Sequence, residues 1–558
     1  MLKKKHLFLA LIMMLLLAVA ACSNNEAGNE SDSTDDSEGT EEVVTYKFFD
    51  ASGPATDINT NETTLGKRFE EETGVNFDIE HIVGDVNQKI GTMIASGEYP
   101  ELLNAEQSTD AVIDAGGFVP LNDLIENHAP NLKEMYGPYL DLMKRDDGNI
   151  YVISSGAPHG YAKPANLNQG GWWIKRSVLK ELGYPQPETL DEYFDIIEEY
   201  TTANPTIDGA DTIGFSALTY DWRFFALSNQ PMHLAGFPND GGITVDMESQ
   251  VATVYGDKEM TQRWLEKLNQ VNDMGLFDRE AFTQNYDEYL AKITSGRLVG
   301  FFDYRWQVGQ AMNTLAEDEN FYNDYMAFPI VFEEGIKDQY LDPVGFTASP
   351  GIGITSGTSE EDQIKIIKFL DHIAKIETQK MITWGDPGET YEVSEDGRYT
   401  RTQEQIDLTS STEFRDEFGF TYFEWGWPRM RGVFDDGNAV EPPKQPEVAN
   451  LMYDEGDREF LDAYGIQTFT ELFSEPDPRP WFPAWDTPIE TGSEAQLYEQ
   501  RVNDLMVREY PEMIFADPSE FDSAWEEYKT EFSELPVEAY EEVITESVKR
   551  KASLVNYE

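Results

Sequence analysis

The sequence predicts an α/β protein whose two alternating regions form two lobes with a cleft between them. Three observations carry that expectation. Strands and helices alternate from Val43 and again from about Gly170, and strand–helix–strand spacing of about 30 residues suits a parallel sheet. The 558 residues are 40% hydrophobic and 13% aromatic, enough for sizeable cores at about 100–200 residues per domain. Crossovers between two α/β regions leave a cleft, and clefts between domains are where small-molecule sites are found.

At the N-terminus, Lys3, Lys4 and Lys5 precede the apolar run Leu7 to Ala18, and the small residues Val19-Ala20-Ala21 lead into Cys22. The run is short for a ~30 Å hydrocarbon core and reads as a secretory signal. Because it ends on the chain's single cysteine, it resembles the lipobox of bacterial lipoproteins, which implies cleavage after residue 21 and lipidation of Cys22. Ser23 to Glu42 has no aromatic or branched apolar residue and many acids. Such a segment cannot offset its ordering entropy and is expected to be a disordered acidic tether.

The first region follows. Val44 to Asp50 reads as a buried strand. Thr64 is expected to cap a helix carrying Leu65 and Phe69 and stopping at Gly74. Val75, Phe77 and Ile79 alternate as a strand, Asn87 to Ser96 is amphipathic, and Glu101 to Ala105 is a short strand. Asp50 and Glu106 fall at the carboxyl ends of strands, where parallel sheets place ligands. In the second region, GGWWIKRSVLKELGY reads as a strand running into a helix closed by Gly183. Thr189 and Glu192 have capping-box spacing before Leu190, Tyr193, Phe194 and Ile197. A helix from about Tyr286 precedes a strand at Val299 to Phe302. Ser359 and Asp362 open a long helix with Ile366, Phe369, Leu370, Ile373 and Ile376 on one face. The last 160 or so residues mix Trp-rich loops with acidic amphipathic helices ending near Lys549.

The charge excludes several functions. With 105 acidic against 41 basic residues the formal net charge is −64. That opposes nucleic-acid binding and electrostatic docking on anionic lipid. One cysteine excludes an internal disulfide framework and a Cys-rich zinc module. No HExxH, GxSxG, Walker A or dinucleotide motif is present, and the histidines after the leader have no ligand spacing.

Several stretches together resemble the bacterial extracellular solute-binding proteins of family 1, in particular the large oligosaccharide-binding lipoproteins of Gram-positive ABC importers. They are DGNIYVISSG (Asp147 to Gly156), GGWWIKRSVLKELGYPQPETLDEY (Gly170 to Tyr193), MGLFDREAF (Met274 to Phe282), SGRLVGFFDYRW (Ser295 to Trp306) and PGIGITSG followed by TWGDPGETYEVSEDGRY (Thr383 to Tyr399). They occur in the expected order between Asp147 and Tyr399. The resemblance implies a periplasmic-binding-protein-like fold whose lobes exchange segments around a hinge, lobe one spanning 43–165 plus 345–400 and lobe two 166–344 plus 401–558. It implies a monomeric receptor, lipid-anchored on the extracellular face of the cell membrane. Such a receptor captures an oligosaccharide, delivers it to ABC permease subunits, and needs neither catalysis nor cofactor. A receptor for peptide or another solute is the alternative, and a surface glycoside hydrolase, which needs only two placed carboxylates, a more distant one.

Relatives in the alginate-binding group carry a calcium loop after the helix that Thr189 opens. Here the stretch is NPTIDGADTIGF (Asn204 to Phe215). Asn204, Asp208 and Gly209 suit such a loop, but Thr206 is a poor ligand and Phe215 stands where a coordinating Glu is needed. An ordinary acidic turn is expected, with calcium at Asn204 and Asp208 as the alternative.

Sugars present apolar C–H faces and a hydroxyl rim, so a sugar site needs flat aromatics with polar groups at their edges. Asp303-Tyr304-Arg305-Trp306 groups these types after a strand. Trp384 before a glycine, the cluster Glu424, Trp425, Trp427 and Arg429, and Trp222 beside Arg223 are comparable. One of Trp172 and Trp173 is expected to face the cleft, and Trp172 is taken as the candidate. Asp50 and Glu106 are candidate hydroxyl partners, and acids at the site would favour a neutral sugar. With 11 Trp, 27 Tyr and 32 Phe, core packing competes at every position. Trp264, on a helical stripe with Leu268 and Val271, is expected in the core.

Overall fold

A computed structural model describes residues 43–52, 56–81, 85–145, 147–316 and 321–555. The leader, Cys22 and the acidic tether lie outside the described residues. Among those described, no helix is long and apolar enough to cross a membrane.

The chain builds two cores. The first surrounds a six-stranded sheet in the order Ile58–Asn59, Val75–His81, Val44–Asp50, Leu102–Asn104, Gly351–Ile354, Ile153–Ser154. Val44–Asp50 pairs in parallel with Val75–His81 and with Leu102–Asn104. Gly351–Ile354 joins antiparallel, inserted from far along the chain. Strand alternation sends neighbouring residues to opposite faces. Phe48 and Leu102 enter one apolar cluster with Phe77, Ile366 and Phe369, whereas Phe49 and Leu103 enter another with Ile90 and Val112.

The second core surrounds a four-stranded sheet in the order Ile213–Ser216, Leu298–Tyr304, Gly170–Lys175, Tyr325–Phe328. Gly170–Lys175 and Leu298–Tyr304 are buried at every residue, as befits strands covered on both faces. The Leu190–Ala203 helix starts with the expected capping box at Thr189 and Glu192. Trp264 lies on the Glu259–Asp273 helix and is fully buried in this core, together with the C-terminal helices Glu494–Phe515, Phe521–Phe532 and Val537–Leu554.

Local signals fixed most element ends to within a residue. The Thr64–Thr73 helix is capped by Thr63 instead of Thr64, its side chain accepting from the Gly66 amide. The long helix opened by Ser359 stops at Ile373, and Lys375 turns extended before a separate Ile376–Trp384 helix. Residues 418–427 come from the stretch expected in lobe two, yet Phe418, Phe420, Phe423 and Trp427 pack in the first core. Trp427 meets Phe48 at 5.1 Å and Phe77 at 5.4 Å between ring centroids. Trp384, Tyr391, Tyr399, Met430, Phe434, Val440 and Val448 form a small satellite core. The chain thus passes between cores three times, at 157–167, 341–346 and 448–460.

Candidate functional site

Three adjoining hollows lie along these crossings. One of about 1020 Å³ takes its wall from both lobes: Trp222, Phe225, Tyr304, Trp306 and Trp485 on one side, Ser154, Ser155, Trp425 and Arg431 on the other. A second, of about 690 Å³, opens at the carboxyl ends of the Val44–Asp50 and Leu102–Asn104 strands and holds Asn104, Glu106 and Asn87. A third, of about 600 Å³, lies beside Glu424 and Arg429. Trp425 and Arg431 line all three, so the hollows form one branched cleft with these two side chains at its junction.

The largest hollow has an aromatic platform. Trp222, Phe225 and Trp306 have nearly parallel rings, 8° to 18° apart, with centroids separated by 5.8, 6.1 and 6.3 Å. Three equidistant parallel rings cannot be a column, whose end rings would lie twice as far apart as neighbours. They form a staggered pavement. Trp306 is 50% exposed and Trp222 60%, an unusual cost in apolar area presented to water by residues that could have packed. Trp425 at 51% and Trp485 at 52% face the same hollow.

Each ring is positioned by local structure. Leu298–Tyr304 runs directly into the Arg305–Ala316 helix, placing Trp306 in its first turn. Asp303 holds that junction: its Oδ1 accepts from the Tyr304 amide at 2.7 Å and from Gln307 Nε2 at 2.8 Å. Burial raises its pKa to about 7, against the pull of those hydrogen bonds. Trp222 sits in the Asp221–Phe224 turn, where Asp221 has a φ of 52° and binds the Arg223 guanidinium at 2.6 Å. Arg223 in turn lies 4.7 Å from the Trp222 ring centroid. Trp425 precedes Gly426, whose φ is +75° and where a Cβ would come within 2.6 Å of Asp50 Oδ2. The tight E-W-G-W turn therefore backs onto the end of the Val44–Asp50 strand.

A family comparison fits this architecture. Residues 64–402 match the family model described as bacterial extracellular solute-binding protein. The chain belongs to this family. Among relatives of these solute-binding proteins, the fructooligosaccharide ABC transporter substrate-binding protein FusA of Streptococcus pneumoniae is 30% identical over 270 residues. That stretch is 45% of this chain and 48% of FusA, about half of each. The polygalacturonan/rhamnogalacturonan-binding protein YtcQ of Bacillus subtilis is 23% identical over 354 residues, 61% of this chain and 66% of that protein. By fold, FusA in complex with kestose superposes with a TM-score of 0.61 at 20% identity, covering 91% of this chain and all of that one. An HMO-binding, ABC-transporter-associated solute-binding protein from Bifidobacterium longum infantis gives 0.63 at 14% identity, covering 90% and 98%. Both likenesses show the two-lobed solute-binding fold.

Within this solute-binding protein the sequence candidates separate. Trp222, Tyr304, Trp306 and Trp425 converge on the largest hollow, and Glu106, Glu424 and Arg429 line the others. Glu106 has a φ of 47°, and burial, with Asp50 nearby, raises its pKa while an Asn104 hydrogen bond opposes.

Other candidates are structural. Trp172, Trp384 and Trp427 are 0% exposed. Their indole N–H groups donate to the Tyr340 hydroxyl, the Ala439 carbonyl and the Tyr422 carbonyl, so neither face nor edge is free for a ligand. Trp173 is buried too, donating to the Asp303 carbonyl. Asp50 is buried, with Oδ1 accepting from the amide and hydroxyl of Ser52 and from Asn104; it ties strand ends together. Asp303 positions the platform from beneath, and Arg305 points along its helix to Asn313 at 2.8 Å.

The Asn204–Asp208 stretch is a hairpin, Thr206–Ile207 paired with Ala210–Asp211, and both turn residues, Asp208 and Gly209, have positive φ. That is the turn chemistry Asp-Gly favours. Asn204 binds Glu181 at 3.0 Å, and Phe215 is buried in the core. These donors do not fit an EF-type calcium loop.

Sequence reading missed Phe225, Trp485 and Arg431. Trp485 stood in a Trp-rich loop, where the adjoining Asp486 is one acid among 105, and a lone Arg two residues past a candidate cluster carried no signal. Asp342, on the second crossing, also lines the largest hollow, and burial raises its pKa to about 7 against the pull of Arg479.

Proposed function

We propose that this solute-binding protein captures an oligosaccharide in the branched cleft and hands it to the permease of an ABC importer. The observation that supports this most directly is the pavement of the exposed Trp222 and Trp306 with the partly buried Phe225, in a hollow walled by both lobes. Parallel indoles match the C–H faces of successive sugar units, and the size of each large hollow is that of a drug-sized ligand site. A ligand that touches both lobes favours their closed arrangement by its differential affinity, which is what closure requires. FusA is a fructooligosaccharide substrate-binding protein and YtcQ a polygalacturonan/rhamnogalacturonan-binding one, which supports a carbohydrate ligand and leaves its charge open.

In this reading lobe one comprises 43–165 with 345–452 and lobe two 166–344 with 453–555, following the cores into which each segment packs. The receptor acts as a monomer on the extracellular face, anchored by lipid on Cys22 and spaced from the membrane by the acidic tether. It binds without turnover.

The test is a thermal-shift screen of the full chain against oligosaccharides of two to six units, with peptides as controls. A ligand at a hundred times its dissociation constant should stabilise the fold by ~2.7 kcal/mol, and the sugar should be recovered intact. Trp306→Ala should weaken binding by about 1–3 kcal/mol. A response to peptides alone, or recovery of cleaved sugar, would overturn the proposal.

A further inference from the structure

The third hollow inverts the electrostatics of the chain. In a protein of net charge −64, Arg401, Arg415, Arg429, Arg431 and Lys444 all line one recess of about 600 Å³. Only two carboxylates, Glu424 and Glu441, share its wall. They neutralise two of the five cations: Arg415 binds Glu424 at 2.5 Å, and Lys444 pairs with Glu441.

The remaining three guanidinium groups keep unused capacity. Arg429 donates only to the Glu424 carbonyl, at 2.7 Å, and its buried Nε has no partner. Arg401 donates to the Thr409 hydroxyl at 3.0 Å and leaves its Nε equally orphaned. The exposed Arg431 side chain makes no hydrogen bond or ion pair to any described residue; where Gly156 lies, a Cβ would come 2.6 Å from its Nε. A buried guanidinium nitrogen without a partner, as in Arg401 and Arg429, is costly, and the neighbouring groups register it. Burial and the charge of Arg415 press Arg401 down to about 10. Burial would raise Glu441, yet Lys444, Arg431 and Arg429 hold it below its usual range.

The recess is continuous with the aromatic hollow. Besides Trp425 and Arg431, the two share Pro164, Asn168, Glu441 and Lys444. A chain of sugars lying on the Trp222–Trp306 platform can therefore pass Trp425 and place a further unit among the arginines.

We infer that this recess is an anionic subsite, taking the oxyanion of an acidic sugar unit, a uronate carboxylate or a ring sulfate ester, at one end of the bound oligosaccharide. This rests on the oligosaccharide reading above and gives its substrate class. Planar guanidinium forks match such groups with paired hydrogen bonds. Five cations facing two carboxylates leave a surplus that a neutral sugar would not use. The expectation of a neutral ligand, drawn from Asp50 and Glu106, does not extend to this branch of the cleft.

The test uses the full chain and a panel of uronate-containing oligosaccharides, each measured by calorimetry against its carboxyl-reduced counterpart, which keeps every linkage and loses the charge. Sulfated and desulfated pairs form a second arm and separate the two sources of the oxyanion. At least one acidic member should bind about 10- to 100-fold tighter than its neutral counterpart, the range of charge-assisted hydrogen bonds. That ratio should shrink as salt rises. Arg431→Gln should collapse the ratio towards one. Arg401→Gln, away from the aromatic hollow, repeats the test should the first variant not fold.

Neutral sugars binding as tightly as every acidic partner would overturn the subsite while leaving the oligosaccharide receptor intact. Peptide binding with no response to any sugar would remove both. An acid preference untouched in folded Arg431→Gln and Arg401→Gln would place the anion elsewhere and overturn the assignment.

Discussion

Asp303 is the buried acid beneath the aromatic platform, and its replacement by asparagine tests how this fold carries charge. The carboxyl is fully buried, and burial lifts its pKa from 3.8 to about 7. A raised carboxyl favours the folded state in its protonated form. Its contribution is complete below the unfolded value near 3.8 and is lost as pH rises through about 7. At ~1.36 kcal/mol per tenfold change in the equilibrium, keeping it ionised in the fold at pH 8 costs about 4 kcal/mol, of which roughly 2–3 kcal/mol develops between pH 5 and pH 8. Asparagine does not titrate. Its oxygen still accepts from the Tyr304 amide and Gln307, and its amino group meets the Tyr289 hydroxyl beside the other oxygen. The Asp303→Asn chain should therefore gain on the parent by roughly 2–3 kcal/mol from pH 5 to pH 8. For a body of roughly 500 residues, with an unfolding entropy near 1 kcal/mol per degree, that is about 2–3 °C. Scanning calorimetry of both proteins at both pH values reads it, and the subtraction cancels other raised acids such as Asp342 and Asp486. A difference in midpoint that is the same at pH 5 and pH 8 would refute the reasoning.

Two further outcomes follow from the packing. Trp384→Ala should lower stability by about 3–5 kcal/mol, the usual cost of emptying a large aromatic site, with affinity for a neutral sugar per folded molecule unchanged; urea titration and calorimetry separate the two. Gly426→Ala forces a Cβ to within 2.6 Å of Asp50 Oδ2 at a φ of +75°. It should destabilise by about 1–3 kcal/mol and weaken ligand binding through the shifted Trp425, whereas wild-type stability would show that the turn relaxes freely.

What could be read from sequence was what depends on near neighbours. The strands Val44–Asp50 and Val75–His81, the Thr189 capping box, the helix opened by Ser359 and the core role of Trp264 follow from periodicity and capping over a few residues. The family motifs Gly170 to Tyr193 and Ser295 to Trp306 fall on the second sheet and its helices. Trp222, Tyr304, Trp306 and Trp425 were legible as site candidates because aromatic and polar residues adjoin there.

The tertiary structure decided which tryptophans meet solvent. Trp425 and Trp427 are two residues apart in one turn, yet Trp425 is half exposed and Trp427 is sealed by Phe48, Phe77 and Phe369. Those partners lie hundreds or tens of residues away, and no local pattern records their approach. The same holds for Trp384, enclosed by Tyr391 and Tyr399, and for residues 418–427, whose aromatics join the first core across an intervening lobe. It holds most for the basic recess. Composition gives an acidic chain, and only folding brings Arg401, Arg415, Arg429, Arg431 and Lys444 around one hollow. Periodicity and capping are local properties that a sequence states directly; burial, and the field inside a cleft, are sums over whatever the fold places nearby.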